Sequence, residues 1–170
     1  MKTIQLTQNK VALIDDEDFD RISKIKWHAW YNKNGDAFYA VHSVYVKGKS
    51  PKSLKMHRHI LGVTDPDLDV DHKDGDTLNN QKYNLRPCKR HQNTSHMLGL
   101  RSDNTTGYRG VSKYFYGNIK KWVARVHSKG KSISLGYFDS PEEAAKAFDK
   151  AAKELYGEFC GKLNFPEETK

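Results

Sequence analysis

An acidic cluster with a histidine inside it is the segment of this sequence best suited to chemistry. The stretch "DVDHKDGDTLNN", residues 69–80, holds Asp69, Asp71, His72, Asp74 and Asp76. A carboxylate can bind a metal ion, and an adjacent imidazole can take a proton from water. The same composition also suits a tight turn, because Asp and Asn hydrogen-bond their own backbone and Gly75 accepts a positive φ. We interpret Asp74 and Asp76 as turn residues.

The elements around the cluster favour a metal site over a simple turn. Asp71 and His72 end a short alternating strand, and a second short strand follows the loop. The next segment, "CKRHQNTSHML", predicts a helix that can bring Asn93 beside Asp71. One carboxylate, one amide oxygen and several waters suit Mg²⁺, whereas zinc requires more nitrogen or sulfur ligands. His72 could then act as a general base toward water.

The motif "VDHKDGDTLNNQKYNLRPCKRHQNTSH", preceded by "MHRHI", resembles the HNH nucleases. The match is to phage-type HNH homing endonucleases with the ββα-metal (His-Me finger) motif, and it covers about residues 53 to 97. The resemblance implies Asp71 and Asn93 as metal ligands. It implies His72 as general base and Asn84 as the residue that braces the loop and orients His72.

The resemblance also assigns supporting positions. His57 and Arg58 match the His-Arg pair of the family, for which we expect a structural or substrate-positioning role. His91 lies on the same predicted helix as Asn93. Because Asn93 stands where many relatives have a histidine, a hard ion, Mg²⁺ or Mn²⁺, is the expected cofactor.

Positive charge dominates the rest of the chain. The 29 Lys and Arg exceed the 21 Asp and Glu, giving a net charge of +8 and a pI near 9.3. Between Asp103 and Asp139 there is no acidic residue, and the basic side chains of that span are Arg109, Lys113, Lys120, Lys121, Arg125, His127, Lys129 and Lys131. Such a surface can be a solvated face, or it can bind nucleic acid.

Three strands are predicted in this basic segment, "YRGVSKY", "KKWVARVHSKG" and "KSISLGYF". Alternation along the middle strand places Lys121, Arg125 and His127 on one face. The planar guanidinium groups of Arg109 and Arg125 can each meet a guanine edge. Three lysines in or near predicted turns are better suited to phosphates: Lys113, Lys120 and Lys129.

These strands, with "LGYFDSPEEAAKAFDKAA" and "LNFP", look like the plant ethylene-response-factor type (Apetala-two) DNA-binding domain. The match covers about residues 105 to 166. It implies a three-stranded sheet that reads the major groove and is packed on one helix. Arg109, Lys121 and His127 fall at contact positions of the family. Three positions depart from the plant pattern: Ser112, Tyr114 and Ser134. The plant target sequence is therefore not transferred.

The sequence predicts an α+β protein with two domains. Residues 1–100 form the nuclease domain, with a hairpin region at 1–52 and the HNH core at 53–98, and residues 101–170 form the DNA-binding domain. The polar segment "GLRSDNTTG" marks the boundary between them.

Three further elements are predicted. One helix is expected over residues 15–26, and an aromatic hairpin turns at Asn34-Gly35. A long helix begins at the N-cap Ser140 and ends at Gly157. Its predicted apolar face is formed by Ala144, Ala147, Phe148, Ala151 and Leu155.

The combined prediction is a metal-dependent, sequence-directed DNA endonuclease with double-stranded DNA as its partner. The alternative is a non-cleaving DNA-binding regulator with a vestigial nuclease core, and a third hypothesis is a structural or RNA-binding protein. No segment is long and apolar enough to suggest a membrane span. Cys88 and Cys160 have no C-x-x-C spacing and are expected to be free thiols. We expect a cytoplasmic monomer.

Overall fold

The computed structural model describes residues 1–33, 35–45, 47–48, 50–96, 99–128 and 130–166. It has several small sheets and few helices, which confirms the mixed α and β character. The chain divides into two compact units, Met1–Lys89 and Arg90–Lys170. The sequence-based boundary lay at residue 100, so the predicted helix with Asn93 groups with the second unit.

The first unit holds three small antiparallel sheets. The first sheet pairs β1 (Lys2–Gln5) with β2 (Val11–Ile14). The second sheet has three strands in the order β3 (His28–Asn32), β4 (Ala37–Val44) and β5 (Lys52–Lys55). The third pairs β6 (Leu68–His72) with β7 (Leu85–Lys89). Helix α2 (Met56–Leu61) follows β5 directly. Asn34 of the predicted hairpin turn lies outside the described residues.

The helix predicted over residues 15–26 is much shorter in the structure. A 3-10 turn at Asp16–Asp18 leads into α1 (Phe19–Ile22). The indole nitrogen of Trp27 donates a 2.9 Å hydrogen bond to the Ile22 carbonyl oxygen. Because the chain turns here to bury Trp27, the Ile22 carbonyl accepts a side-chain bond from five residues along the chain, where a longer helix would supply a backbone bond.

One hydrophobic core joins the N-terminal residues to the predicted nuclease segment. Its large buried side chains include Ile14, Ile22, Trp27, Met56 and Leu85. Residues 1–52 therefore contribute directly to the core of the first unit.

The second unit begins with α3 (Arg90–Ser95) and continues with a three-stranded antiparallel sheet. The strands are β8 (Val111–Tyr116), β9 (Ile119–Ser128) and β10 (Lys131–Phe138), with β9 in the centre. Helix α4 (Pro141–Tyr156) packs on this sheet, and Ser140 Oγ accepts the Glu143 amide at 3.2 Å. A sheet packed on a helix is the predicted arrangement, and it is confirmed. Lys129 and the region around Met97 and Leu98 lie outside the described residues.

Close approach between the sheet and α4 requires glycine at position 110. Gly110 has φ +74°, and a Cβ built there would lie 1.9 Å from Cδ2 of Phe148. Leu155, predicted on the apolar face of α4, is instead 43% exposed, while Ala145 and Ala152 are buried. The buried face also contains the charged Asp149. A prediction that used apolar residues alone therefore placed the buried face of α4 too far toward Leu155.

Asp149 is fully buried and anchors the C-terminal segment to α4. Its Oδ1 accepts the Asn164 backbone amide at 3.0 Å and the Asn164 side-chain amide at 2.9 Å. Its Oδ2 accepts the Phe165 amide at 2.7 Å. Asn164 Oδ1 in turn accepts the Arg109 amide at 2.7 Å. This carboxylate therefore holds together the helix, the C-terminal strand-like segment and the entry to β8.

We expect Asp149→Ala to destabilise the second unit by roughly 3 kcal/mol or more, because three donors lose a buried charged acceptor. Asp149→Asn retains one acceptor oxygen and should cost less. The measurement is urea denaturation of the full chain followed by the backbone amide signals of α4. The exposed neighbour Lys150→Ala is the control, and equal midpoints for Asp149→Ala and Lys150→Ala would contradict the anchor.

A second buried carboxylate, Asp18, ties the N-terminal segment to the rest of the first unit. Arg21 Nη2 lies 2.7 Å from Asp18 Oδ1, and Lys82 Nζ lies 3.0 Å from Oδ2. Nearby, Asp15 accepts the Gln81 side-chain amide at 3.0 Å and the Lys82 backbone amide at 2.7 Å. Burial alone would raise the pKa of Asp18, but the bonds from Arg21 and Lys82 outweigh it and lower the pKa below its ordinary value.

Because the folded-state pKa of Asp18 is lowered, its ionisation stabilises the protein above the unfolded pKa, about 3.9. That contribution is lost as the pH falls through the folded-state pKa. We expect Asp18→Asn to lower stability at pH 7 by about 1–2 kcal/mol, with the difference from wild type closing below about pH 4. Thermal unfolding across this pH range tests it, with the exposed Asp20→Asn as control. A difference that stays constant down to pH 2.5, about one unit below the unfolded pKa, would contradict the assignment.

Candidate functional site

Asp71 lies at the end of β6 and is buried against an arginine. In the β6–β7 register Asp71 faces Arg86. Arg86 Nε donates to Asp71 Oδ2 at 2.8 Å, and Arg86 Nη2 lies 2.7 Å from the same oxygen. The pair orients the Asp71 carboxylate. Arg86 was missed at the sequence level, although its place two residues after Asn84 on a short strand opposite Asp71 was the available signal.

His72, the next residue, is 5% exposed and points into a small aromatic cluster. Its ring centroid lies 5.1 Å from that of His57 and 6.3 Å from that of Tyr39, both at steep angles. Among the described residues, Nε2 of His72 has no hydrogen-bond partner. Burial lowers the pKa of His72, while Asp71, the neighbouring aspartates and the nearby side chain of Asn80 act in the opposite direction. Burial also lowers the pKa of His57 well below its ordinary value, so both rings are neutral near pH 7.

Asn84 joins the two sides of the acidic loop and is 1% exposed. Its Oδ1 accepts the Asp74 amide at 3.0 Å. Its Nδ2 donates to Asp74 Oδ1 at 2.8 Å and to the Asn79 carbonyl at 2.9 Å. These are the contacts of a residue that braces a loop. The predicted influence of Asn84 on His72 stays a prediction.

Asp74 and Asp76 make the local hydrogen bonds of turn residues. Asp74 Oδ1 accepts the Asp76 amide at 2.8 Å, and Asp76 Oδ1 accepts the Leu78 amide at 2.9 Å. Gly75 has φ +79°. The interpretation of the two aspartates as turn residues therefore agrees with the structure.

The N-terminal segment supports this loop from outside. The Leu13 amide donates to the Leu78 carbonyl at 2.9 Å, and the Asn80 amide donates to the Leu13 carbonyl at 2.8 Å. The side chain of Asn80 is buried beside the His72 ring. Strand β2 thus extends its hydrogen bonding into the loop that follows His72, a connection that spacing within the motif could not reveal.

The His-Arg pair on α2 divides into two environments. His57 is buried in the aromatic cluster with His72. Arg58 faces the segment before β6, where Nη2 donates to the Asp65 carbonyl at 2.6 Å and Nη1 donates to the Leu68 carbonyl. The contacts of Arg58 are those expected of the structural alternative.

Asn93 and His91 lie on α3 in the second unit. Asn93 is half-buried and His91 is exposed. The meeting of Asn93 with Asp71 stays a prediction. No three His, Cys, Asp or Glu side chains within the described ranges are grouped so that they could hold a metal ion. The predicted donor set, one carboxylate and one amide oxygen completed by water, is of a sparser kind. Asp71 supplies a hard donor, and the buried His72 nitrogen could accept a hydrogen bond from a bound water, so the residues fit such an ion.

The outward face of the three-stranded sheet carries the predicted basic residues of β9. Arg125 Nη1 donates to Ser112 Oγ on β8 at 3.0 Å, and Lys121 forms an ion pair with Asp139. His127 is exposed at the far end of the strand. Alternation along β9 places these three side chains on one face, as predicted.

The remaining predicted contacts lie elsewhere in the second unit. Lys113 Nζ lies 5.7 Å from the Trp122 ring centroid, on the face toward α4, while Lys120 is exposed beside the β8–β9 turn. Arg109 uses its guanidinium within the protein. Its Nη2 donates to the Ser95 carbonyl at 2.7 Å, its Nη1 donates to the Lys162 carbonyl at 3.2 Å, and its Cζ lies 5.5 Å from the Phe148 ring centroid. Burial lowers the pKa of Arg109.

A known protein is similar to most of the chain, and others are similar to its C-terminal part alone. An uncharacterised HNH endonuclease of Acanthamoeba polyphaga mimivirus is 29% identical over 161 residues, which cover 91% of this chain and 76% of that protein. No described helix is long and apolar enough to cross a membrane. No solved structure matches the chain significantly.

Plant DNA-binding proteins match the C-terminal part alone. Dehydration-responsive element-binding protein 2A of Arabidopsis thaliana is 43% identical over 61 residues, 35% of this chain and 17% of that protein. An ethylene-responsive transcription factor of the same plant is 46% identical over 65 residues, 37% of this chain and 33% of that protein. The chain therefore spans a third or less of these two relatives. The family model for the AP2 domain matches residues 106–158. Residues 106–158 are thus an AP2 DNA-binding domain, as the resemblance predicted.

Proposed function

We propose that the protein is a metal-dependent DNA endonuclease, in which the second unit binds the duplex and the acidic loop of the first unit directs hydrolysis of a phosphodiester. The observation that carries this proposal is the buried Nε2 of His72, which has no partner among the described residues and follows the carboxylate of Asp71 in sequence. A buried polar atom without a partner costs free energy, so such an atom in an otherwise well-bonded loop suggests a functional role. The similarity to an HNH endonuclease over most of the chain supports the same reaction class.

Each residue of the loop has a role in this proposal. His72, kept neutral by burial, accepts a proton from the attacking water at Nε2. His57 and Tyr39 pack against its ring and restrict its orientation. Asn84 holds the loop that follows His72, and Arg86 orients the carboxylate of Asp71. Asp71 and Asn93 would hold Mg²⁺ or Mn²⁺, which when bound supplies positive charge for the phosphate and the departing oxygen.

The AP2 domain supplies the affinity for DNA. Lys121, Arg125 and His127 project from one face of β9, and a protein of net charge +8 attracts a polyanion. Arg125 is held by Ser112, so its fork is already oriented for a base edge. We therefore place base reading on Arg125. Arg109 is predicted as a DNA contact, but its guanidinium group also donates hydrogen bonds to the backbone carbonyls of Ser95 and Lys162.

A DNA-binding regulator without nuclease activity is the second candidate. The observation that favours it is the ion pair between Asp71 and Arg86, because a carboxylate already neutralised by a guanidinium has less need of a cation. Incubation of plasmid DNA with Mg²⁺, with and without a chelator, separates the two candidates. Cleavage that stops with the chelator supports the nuclease, and binding without cleavage supports the regulator.

We expect His72→Ala to reduce the cleavage rate by about 10²–10⁴-fold, because the proton acceptor is lost, while DNA affinity changes by less than about twofold. The measurement is single-turnover cleavage together with a binding titration in chelator. His28→Ala on β3 is the matched control, as another histidine of the same unit. Cleavage by His72→Ala within a few-fold of wild type would place the base elsewhere.

We expect Arg125 to contribute to base recognition and Lys120 to contribute to sequence-independent phosphate binding. Arg125→Ala should weaken binding to the preferred duplex by roughly 1–3 kcal/mol and relax preference at one base. Lys120→Ala should weaken all sequences about equally and reduce the salt dependence by about one unit. Titrations on preferred and scrambled duplexes at several salt concentrations measure both. Lys150→Ala controls for loss of charge outside the sheet, and equal losses on both duplexes for Arg125→Ala would remove it from base reading.

A further inference from the structure

Two tyrosines meet across the central strand of the AP2 sheet. Tyr114 on β8 pairs in register with Lys121, and Tyr137 on β10 pairs with Val123. Their ring centroids are 4.6 Å apart, with ring planes inclined at 55°. Neighbouring strands lie about 4.8 Å apart, so rings rooted on β8 and β10 can approach this closely only by leaning over β9 from both sides.

This pair lies on the outward face, among the basic residues. Tyr114 alternates with Phe115 along β8, and it shares its face with Lys121 and Val123 of β9. Val123 is fully buried even though its face is the outward one. The side chains on this face, with the two rings among them, thus enclose Val123 and present an aromatic surface beside Lys121 and Arg125.

The tyrosine pair remains accessible to a ligand. Tyr137 is 56% exposed and Tyr114 is half-buried. A solvated charged surface has no need of an aromatic pair at its centre, and exposed apolar surface amid charges is typical of a binding site. The ligand must therefore combine negative charge, for Lys121 and Arg125, with an apolar group placed between charges.

We propose that the Tyr114–Tyr137 pair determines target specificity by contacting the 5-methyl group of a pyrimidine in the major groove, which in unmodified DNA is thymine. This inference rests on the proposed function, in which the same sheet face binds duplex DNA. Within a duplex the base faces are stacked, so a protein meets only base edges, and the methyl group of thymine is the apolar feature of the major-groove edge. Phosphates beside the groove meet lysine side chains such as Lys121, while Arg125 reaches a neighbouring base edge.

The two rings supply what a methyl contact requires. Inclined at 55°, the two rings form an angled apolar surface and not a flat plate, which suits contact with a methyl group better than stacking on a base. Tyrosine has few rotatable bonds and loses little conformational freedom when it binds. Contact between the two rings and the buried Val123 beneath them restrict that freedom before DNA arrives. The recognition surface is therefore preorganised.

The experiment removes single methyl groups from the DNA. The full chain, in the presence of a chelator, first selects its preferred site from a pool of random duplexes. Each thymine of that site is then replaced, one at a time, by deoxyuridine, which lacks only the 5-methyl group. We expect at least one replacement to weaken binding of the wild-type protein about three- to tenfold, the range for one buried methyl group.

The variants assign that effect to the tyrosine pair. Tyr137→Ala and Tyr114→Ala should lose the penalty for deoxyuridine at that position, whereas Tyr114→Phe should keep it. Phe115→Ala is the matched control, because Phe115 is an exposed aromatic residue of the same strand on the opposite face. It should keep the full penalty. If an alanine variant fails to fold by circular dichroism, Tyr137→Thr, which retains a strand-forming residue, replaces it.

Two results would overturn the inference while leaving the proposed function intact. One is tight, selective duplex binding with no penalty for any deoxyuridine. The other is a penalty that persists unchanged in both tyrosine-to-alanine variants. Failure of the proposed function looks different, because the wild-type protein would then select no duplex from the pool at all.

Discussion

The side-chain amide of Asn84 is the group on which the candidate nuclease site depends. A two-stranded hairpin such as β6–β7 is marginal by itself, and the loop that joins its strands is long and polar. Asn84 closes that loop by bonding Asp74 and the Asn79 carbonyl from a fully enclosed position. This closure satisfies the Asp74 amide and the Asn79 carbonyl, while Asp71 and His72 lie buried at the strand end.

Both units use the same physical device at different places. In the second unit Asp149 collects amides of the C-terminal segment as Asn84 collects groups of the loop. A buried polar anchor of this kind is directional, whereas the small apolar cores of the two units are not. Such anchors suit a chain with 36% hydrophobic residues, because they define one arrangement where packing alone leaves alternatives.

Much of the second unit could be predicted from sequence, since its signals are local. Ser140 at the N-cap, the alternation along β9 and the turns between strands each depend on a few neighbouring residues. The polar anchors could not be predicted for two reasons. Asp149 bonds residues 15 and 16 positions away, and a charged residue in a sequence is expected at the protein surface. The use of the Arg109 fork on Ser95 and Lys162 was missed for the same reason.

In the first unit the positions of Asp71 and His72 at the end of one strand, and of Asn84 just before the next, followed from local patterns. The residues that hold these side chains in place could not be predicted from local patterns. Arg86 opposes Asp71 through strand register, and the Leu13 segment reaches the loop from more than sixty residues away in the chain. Contacts between residues remote in sequence thus decided what the motif alone left open.

The contact between Arg109 and Ser95 bears on how such proteins can be recombined. A fusion designer would cut in the polar stretch near residue 100, where the composition changes. That cut would separate the guanidinium of Arg109 from the carbonyl at the end of α3, leaving a half-buried cation short of an acceptor. A fusion that preserves this contact must begin at Arg90. Exchange of the second unit then also exchanges α3, the helix that contains Asn93. Under the proposed function, a change of DNA-binding domain would therefore also change the residue proposed to complete the metal site.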